Sequence, residues 1–334
     1  MEWSKGYSST FYLSIIDKAT WRDVERFELL SGSIKRDVVG LRESATLDCI
    51  DYPFNTEQWI RIWMDIKQGG SNEHIPLFTG LATSPEGSFN GNLRTNTVDC
   101  YSVLKPAADI ALLRGWYAPA GMNGARVIAN LLSVIPAPVS IAEDAPALTN
   151  HVIAEDKETH LSMVEKILVA INWRMKIGGD GVVSIEPYSN EPVATFDPLE
   201  NDVLETQIQL QNDWFDCPNV LLAIDDDLSA VARDDSLTSP LSTVNRGREV
   251  WKVENNCELA DDESIEQYAQ RRLAELQQVS INAKYSRRYM PNVFPTDAVR
   301  LKYPKQDLNG VYKVQTQNIK LGTSARTSEE IINL

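Results

Sequence analysis

Three histidines, four cysteines and one dense run of acids are the residues of this 334-residue chain whose types suit chemistry. His74, His151 and His160 include no pair at the HxH or HExxH spacing that sets two imidazoles on one metal ion. Cys49, Cys100, Cys217 and Cys257 form no CxxC pair, and their intervals exceed those of zinc or iron–sulfur loops. Buried free thiols, packing as small hydrophobes, are the expectation, with a disulfide or a cluster as the alternative. The acids Asp225, Asp226, Asp227, Asp234 and Asp235 are the one source of a carboxylate pair, which a glycosidase sets roughly 5–10 Å apart. Consecutive acids at a strand end read instead as a solvated turn, and the glycine and closing glutamate of a calcium loop are missing. No GxSxG, GxGxxG or GxxxxGK[ST] occurs, so neither a nucleophile elbow nor a phosphate-cradling loop is encoded. No catalytic residue, cofactor or metal is expected.

Composition narrows the remaining classes. A hydrophobic fraction of 43% supports buried cores. No apolar run nears the ~20 residues of a membrane helix, and "MEWSKGYSS" lacks the basic-then-apolar order of a signal peptide, so neither membrane insertion nor secretion by a leader is expected. The net charge of −15 opposes a DNA-gripping role, which needs a basic face, and suits a surface that DNA slides past. The charge is uneven. Residues 197–235 hold eleven acids and one base, whereas 271–320 hold ten bases and three acids. An acidic face meeting a basic face on a neighbouring copy is one reading, two ordinary solvated faces the other.

The elements that would position these residues are mostly strands. Residues 1–110 read as an antiparallel barrel or sandwich of short strands: "STFYLSIID", "FELLSGSIKRD" with a Ser31–Gly32–Ser33 turn, "SATLDCIDY", "QWIRIWMDIK", "HIPLFTGLATS" and "TNTVDCYSVL". Residues 111–190 change character. Val127, Ile128, Leu131, Leu132 and Ile135 share one helical face before Pro136. Thr159 caps a second helix with Leu161, Val164, Ile167, Leu168 and Ile171 inward, and "WRMKIGGDGVVSIEP" is a hairpin. Strands resume over 191–237 and 298–322, expected to form a second, discontinuous barrel. Residues 238–297 form a helix-containing insert whose helix carries Ile265, Tyr268, Leu273 and Leu276 inward, and 323–334 are left as a C-terminal tail. The expected fold is mainly β with α+β insertions: two similar antiparallel barrels and two smaller helix-bearing domains.

One hairpin is written twice. "WIRIWMDIKQGG" at Trp59–Gly70 and "AVRLKYPKQDLNG" at Ala298–Gly310 each carry apolar–Arg–aliphatic, a polar Gly-ended turn and an aliphatic return strand. Duplication of a barrel accounts for that.

The runs "SPLSTVNRGREVWKVENN", "ADDESIEQYAQRRLAE" and "PTDAVRLKYPKQDLNGVYKVQTQNIKLG", with "FYLSIIDKATW" and "WIRIWM" near the start, resemble the tail hub (baseplate hub) proteins of tailed bacteriophages. The resemblance spans roughly residues 11–322 and rests on element order and loose motifs. It implies a homotrimer in which three two-barrel subunits form a pseudo-sixfold ring. Such a ring joins a sixfold tail tube or distal tail protein to a threefold central spike, fibre or tape-measure protein. It also implies a location at the virion tail tip after synthesis in the host cytoplasm, with DNA a partner only in transit during ejection. Some proteins of this type continue into a peptidoglycan-cutting domain. This sequence ends at Leu334, soon after its last expected strand, so lysin activity is not expected.

Two sets of site residues follow. Asp225, Asp226, Asp227, Asp234 and Asp235 are candidate channel-facing acids that would keep a duplex sliding. Arg271, Arg272, Arg287 and Arg288 are candidate inter-subunit donors, since guanidinium forks suit carboxylates. The rival readings are a tail-associated cell-wall hydrolase and a receptor- or carbohydrate-binding module. The second draws on the eight tryptophans, of which Trp59, Trp63, Trp173 and Trp251 lie in strand patterns where aromatics are core rather than platform.

Overall fold

Seven strands open the chain: β1 (Ser8–Asp17), β2 (Arg22–Arg36), β3 (Glu43–Ile50), β4 (Gln58–Gln68), β5 (Ser71–Ala82), β6 (Glu86–Asn90) and β7 (Leu93–Ser102). In this computed structural model the described residues are 2–3, 5–50, 52, 56–83, 85–90, 93–142, 144–198, 204–212, 214–225, 228–255, 257, 264–277, 281–303, 308–322 and 326–333. Six of the seven strands pair in the order β1-β4-β5-β7-β3-β2, every pairing antiparallel. β2 then returns to β1, so the hydrogen-bonded path closes into a ring with no free edge. Period-two alternation decides what fills it: Leu13, Ile34, Leu47, Ile60, Ile62, Met64, Phe78 and Val98 point inward and are buried. Cys49 and Cys100 sit on the adjacent strands β3 and β7, buried and unpaired, and burial raises the Cys49 thiol to about 12.

The Ser31–Gly32–Ser33 segment is not a turn. β2 runs straight through it with a register shift between Leu29 and Ser31. A Cβ at Gly32 would lie 2.8 Å from the Thr46 carbonyl oxygen, so this glycine permits close strand approach rather than chain reversal.

α1 (Lys105–Asp109), β8 (Tyr117–Ala118), α2 (Gly124–Leu131), β9 (Val139–Ile141), β10 (Val152–Ile153), α3 (His160–Ala170), β11 (Trp173–Ile177) and β12 (Val183–Pro187) make an α+β insert. Asn123 caps α2, and Thr159 caps α3 in a box with Ser162. The predicted inner faces of both helices are buried against a sheet in the order β11-β12-β9.

The second set of strands is β13 (Pro192–Phe196), β14 (Leu204–Asn212), β18 (Ile281–Arg288), β19 (Ala298–Tyr303), β20 (Leu308–Leu321) and β21 (Arg326–Asn333). Between β14 and β18 lie β15 (Val220–Asp225), β16 (Leu228–Arg233), α4 (Thr243–Arg246), β17 (Trp251–Asn255) and α5 (Ile265–Leu276). The second set is ordered β13-β19-β20-β21-β18-β14. Numbering the six main strands of each set one to six along the chain, the order across both sheets is the same: 1-4-5-6-3-2. The repeated hairpin is strands four and five in each, β4–β5 and β19–β20. The sets differ at strand one. β1 runs antiparallel to its neighbour and closes the ring, whereas β13 runs parallel to β19 and has no pairing with β14 among the described residues.

Two expectations change. Residues 326–333 are a strand and not a tail. Thr327, Glu329 and Ile331 are its inward residues, and a glutamate at the middle inward position hides the alternation. Residues 220–233 were expected in the second barrel. β15 instead pairs antiparallel with β16 and parallel with β17, in a separate three-stranded sheet. That sheet packs on α5 through Leu221, Ala223, Ala230, Ala232, Ile265, Ala269 and Leu273. It belongs to a smaller compact unit, Gln209–Ala283, distinct from a larger one made of Met1–Ile208 and Lys284–Ile332.

Candidate functional site

β2 and β20 are the longest strands, 15 and 14 residues, and each outruns its own neighbours. Their far ends pair with each other, Gly32 opposite Leu321, Ile34 opposite Ile319 and Arg36 opposite Gln317. This antiparallel ladder makes one continuous sheet of the two strand sets. The first two pairs are apolar, and the third is polar and buried.

Around that third pair lies a network of buried charges. The Arg36 Nε approaches Glu43 Oε1 at 2.8 Å, off hydrogen-bond alignment, while its Nη2 donates to the Leu77 carbonyl at 2.5 Å and its Nη1 to Gln317 Oε1 at 3.4 Å. The Gln317 amide donates to Val293 O at 2.8 Å and to Glu329 Oε1 at 2.5 Å. Glu329 also receives Nε of Arg287 at 2.9 Å, its Nη2 at 2.5 Å and the Tyr285 hydroxyl. The Arg287 and Glu329 side chains are both 0% exposed. An isolated buried charge costs several kcal/mol, and a bidentate pair with added donors is the arrangement that offsets it. Burial disfavours the Arg287 charge, yet Glu329 outweighs it and the guanidinium titrates above its ordinary value. Burial drives the Glu43 carboxyl up to about 7, against the opposing pull of Arg36.

The insert is tied in by further arginines. Arg42 donates to both oxygens of Glu165 at 2.9 Å, joining the β2–β3 loop to α3. Arg174 on β11 reaches Asp297 at 2.8 Å and Glu186 at 2.6 Å. Arg61, the arginine of the first repeated hairpin, bonds Asp23 at 2.9 Å and the Asp180 carbonyl at 3.1 Å, and is buried. Arg300, its counterpart in the second, is exposed.

Of the basic residues singled out, Arg287 is corrected: it is sealed in its own chain by Glu329 and offers no neighbour a donor. Arg271 pairs with Glu275 at 2.9 Å, and Arg272 pairs with Glu275 and, through Nε, with Glu254 at 3.1 Å. Arg288 is half-buried. The acids do not form one cluster. Asp225 ends β15 at the hairpin turn, opposite Leu228, whereas Asp234 and Asp235 follow the far end of β16. A six-residue strand separates them, roughly 20 Å at the usual rise. Asp226 and Asp227 lie outside the described residues. Asp234 accepts from Ser239 Oγ at 2.6 Å and Gln277 Nε2 at 3.0 Å, as the acid of a folded turn. Hydrogen bonds from Thr243 and Arg233 hold Asp235 below the usual carboxylate range.

Sequence reasoning missed the buried arginines. Their one visible trace is an arginine between aliphatics, as in "IRI", on the ring's outer side, where the insert covers it.

With this geometry in view, the fold can be placed. No family model and no curated protein sequence matches the chain. Solved structures do, among them tail proteins and a part of a secretion apparatus. The chain is similar to the tail protein from Neisseria meningitidis, with a TM-score of 0.69 and 15% identity over 98% of this chain and 97% of that one. It is similar to the 43 kDa tail protein of prophage MuSo2 from Shewanella oneidensis, at 0.67 and 11% over 97% of each. An Escherichia coli type VI secretion component, described as structurally similar to phage T4 tail proteins, matches at 0.52 and 8% over 92% of this chain and 74% of that one. These likenesses establish a mainly β fold shared with those proteins.

Proposed function

We propose that the chain is a structural hub at the tip of a phage-type tail and turns over no substrate. It would act as a homotrimer in which each subunit contributes two equivalent strand modules. Three copies then present six modules in a pseudo-sixfold ring, able to sit against a sixfold tube or distal tail protein on one side and a threefold spike or fibre on the other. The opening of the ring would pass DNA during ejection, consistent with a net charge of −15 that repels phosphates.

The observation that carries this reading is the shared 1-4-5-6-3-2 strand order, with the repeated hairpin in the same place in both modules. An adaptor between sixfold and threefold symmetry needs two like surfaces per chain, and duplication supplies them. The likeness to phage tail proteins over nearly the whole chain supports the same reading. The test is the mass of the purified chain in solution with a low-resolution electron-microscopy map. A trimeric mass and a threefold ring with a central opening are expected. A monomer at every concentration, or a dimer, overturns the reading.

A further inference from the structure

Two surface features that the buried network does not use are complementary. The first is a loop of the smaller unit. Trp214 and Phe215 are 46% and 71% exposed, and Asp216 beside them is exposed with no ion pair among the described residues. The loop is fixed by two arginines. Arg246 donates to the carbonyls of Phe215 and Cys217, each at 2.6 Å, and Arg248 donates to the Phe215 carbonyl with its guanidinium 4.2 Å from the phenyl centroid. An aromatic held rigid and left in water loses little freedom on binding, the property of an interface anchor.

The second feature is a pocket in the larger unit, about 280 Å³. Val39, Val169 and Tyr188 at its lining are all exposed, Val169 by 79%. Lys313 lies inside with its ammonium 3.9 Å from the Tyr188 ring centroid, and it has no acidic partner among the described residues. The neighbouring Arg42 and Glu165 neutralise each other, so Lys313 is the uncompensated charge. One wall is Thr296, a β-branched residue at φ 73°, held there by Arg174 on its hydroxyl at 3.2 Å. Strain of this kind gathers at binding sites.

We propose that the Trp214–Phe215–Asp216 loop of one copy docks into the Lys313 pocket of a second copy. The phenyl ring enters among Val39, Val169 and Tyr188, and the Asp216 carboxylate pairs with Lys313. The contact is heterologous, joining two different surfaces, and such contacts close into rings when the rotation divides a full turn. It rests on the trimer reading above and names the surfaces that would build it.

The test is light scattering across a dilution series of the full chain, with Phe215→Ala, Lys313→Glu, Asp216→Lys and the double variant Lys313→Glu/Asp216→Lys. Melting temperature serves as the check on folding. Each single variant is expected to raise the concentration at which the assembly dissociates by tenfold or more, and the double variant to recover most of that loss. A wild-type assembly whose dissociation none of the variants moves overturns this contact and leaves the trimer standing. A wild-type chain that is monomeric at all concentrations overturns both. Docking of the loop within its own molecule would leave mass unaffected by the variants and also overturns the proposal.

Discussion

Arg36 on β2 stands directly opposite Gln317 on β20, and the 3.4 Å contact between their side chains links the buried ion pair of the first strand set to that of the second. Gln317 suits this position because an amide both accepts and donates. Its oxygen faces Arg36 and its nitrogen faces Glu329. A chain Glu43–Arg36–Gln317–Glu329–Arg287 therefore crosses the ladder between the two sets. Apolar residues would fill the same volume with less risk, but they would not specify one register. A slip of a single residue along β2–β20 would leave several charges buried without partners.

Removing one member of the Arg287–Glu329 pair is expected to destabilise far more than removing both. Glu329→Gln leaves a buried guanidinium uncompensated and should cost about 3–5 kcal/mol. Arg287→Met combined with Glu329→Leu should recover more than half of that loss. Chemical denaturation of the three variants beside wild type decides it. A Glu329→Gln protein within about 1 kcal/mol of wild type would show that the pair does not hold the joint.

The Glu43 carboxyl supplies a pH dependence of definite sign. Its folded value, about 7, lies above its ordinary value of 4.5 because burial disfavours the charge. Between those values the folded protein holds a proton that the unfolded chain releases. Stability from this group is therefore complete below 4.5 and declines as pH rises through 7. Ordinary paired carboxylates change in the opposite direction and at lower pH. The denaturation midpoint of wild type, compared with Glu43→Gln between pH 5 and 8, isolates the group. Wild type should lose stability across the window and the variant should hold level. Parallel profiles would assign the slope elsewhere.

Much of the fold was legible because its elements follow simple periods. α3 reads from Thr159 to Ile171 as a capped helix with one apolar stripe, and it folds as such. The repeated hairpin was visible as a phrase, and the strand order explains why it occurs twice. What escaped was every place where a polar residue points inward. β21 was unreadable because Glu329 occupies a core position, and its partner Arg287 lies 42 residues earlier in the chain. Arg287 looked like a surface donor for the same reason: a sequence shows the charge and not the carboxylate that meets it. At β17 the strand pattern around Trp251 was readable but its burial was not: Trp251 was expected in a core, and it is exposed together with Lys252 and Val253.

Gly80 sets a limit on the ring. A Cβ there would lie 2.2 Å from the Tyr101 carbonyl oxygen and 2.6 Å from the Phe78 ring, on the β5–β7 pair that the closed path requires. Neither a backbone oxygen nor a packed ring can give that much. Gly80→Ala should cost about 3 kcal/mol or more, at or beyond the upper end of ordinary overpacking. A Gly69→Ala change in the open β4–β5 turn, where nothing lies within 4 Å, should cost about 1 kcal/mol, set by its positive φ of 54° alone. Melting curves of the two variants give the comparison, and equal losses would mean that the β5–β7 pair can shift to admit a methyl group at no added cost.

The acids of the β15–β16 hairpin divide into two groups that a channel hypothesis must treat separately. Asp234 is bound by Ser239, Gln277 and the Ser236 amide, so Asp234→Ala should lower stability by about 1–3 kcal/mol through the donors it leaves unpaired. That loss would occur wherever the residue faces. Asp225 makes no such bonds among the described residues and sits at the turn. Changing Asp225 to Asn should therefore leave melting and assembly unaltered while removing one negative charge per chain. If the turn borders the path of DNA, particles carrying Asp225→Asn eject more slowly, and the difference shrinks as salt rises and screens the charge. Ejection at the wild-type rate in low salt would remove the turn from the channel wall, and the acidity of the chain would then serve solubility alone.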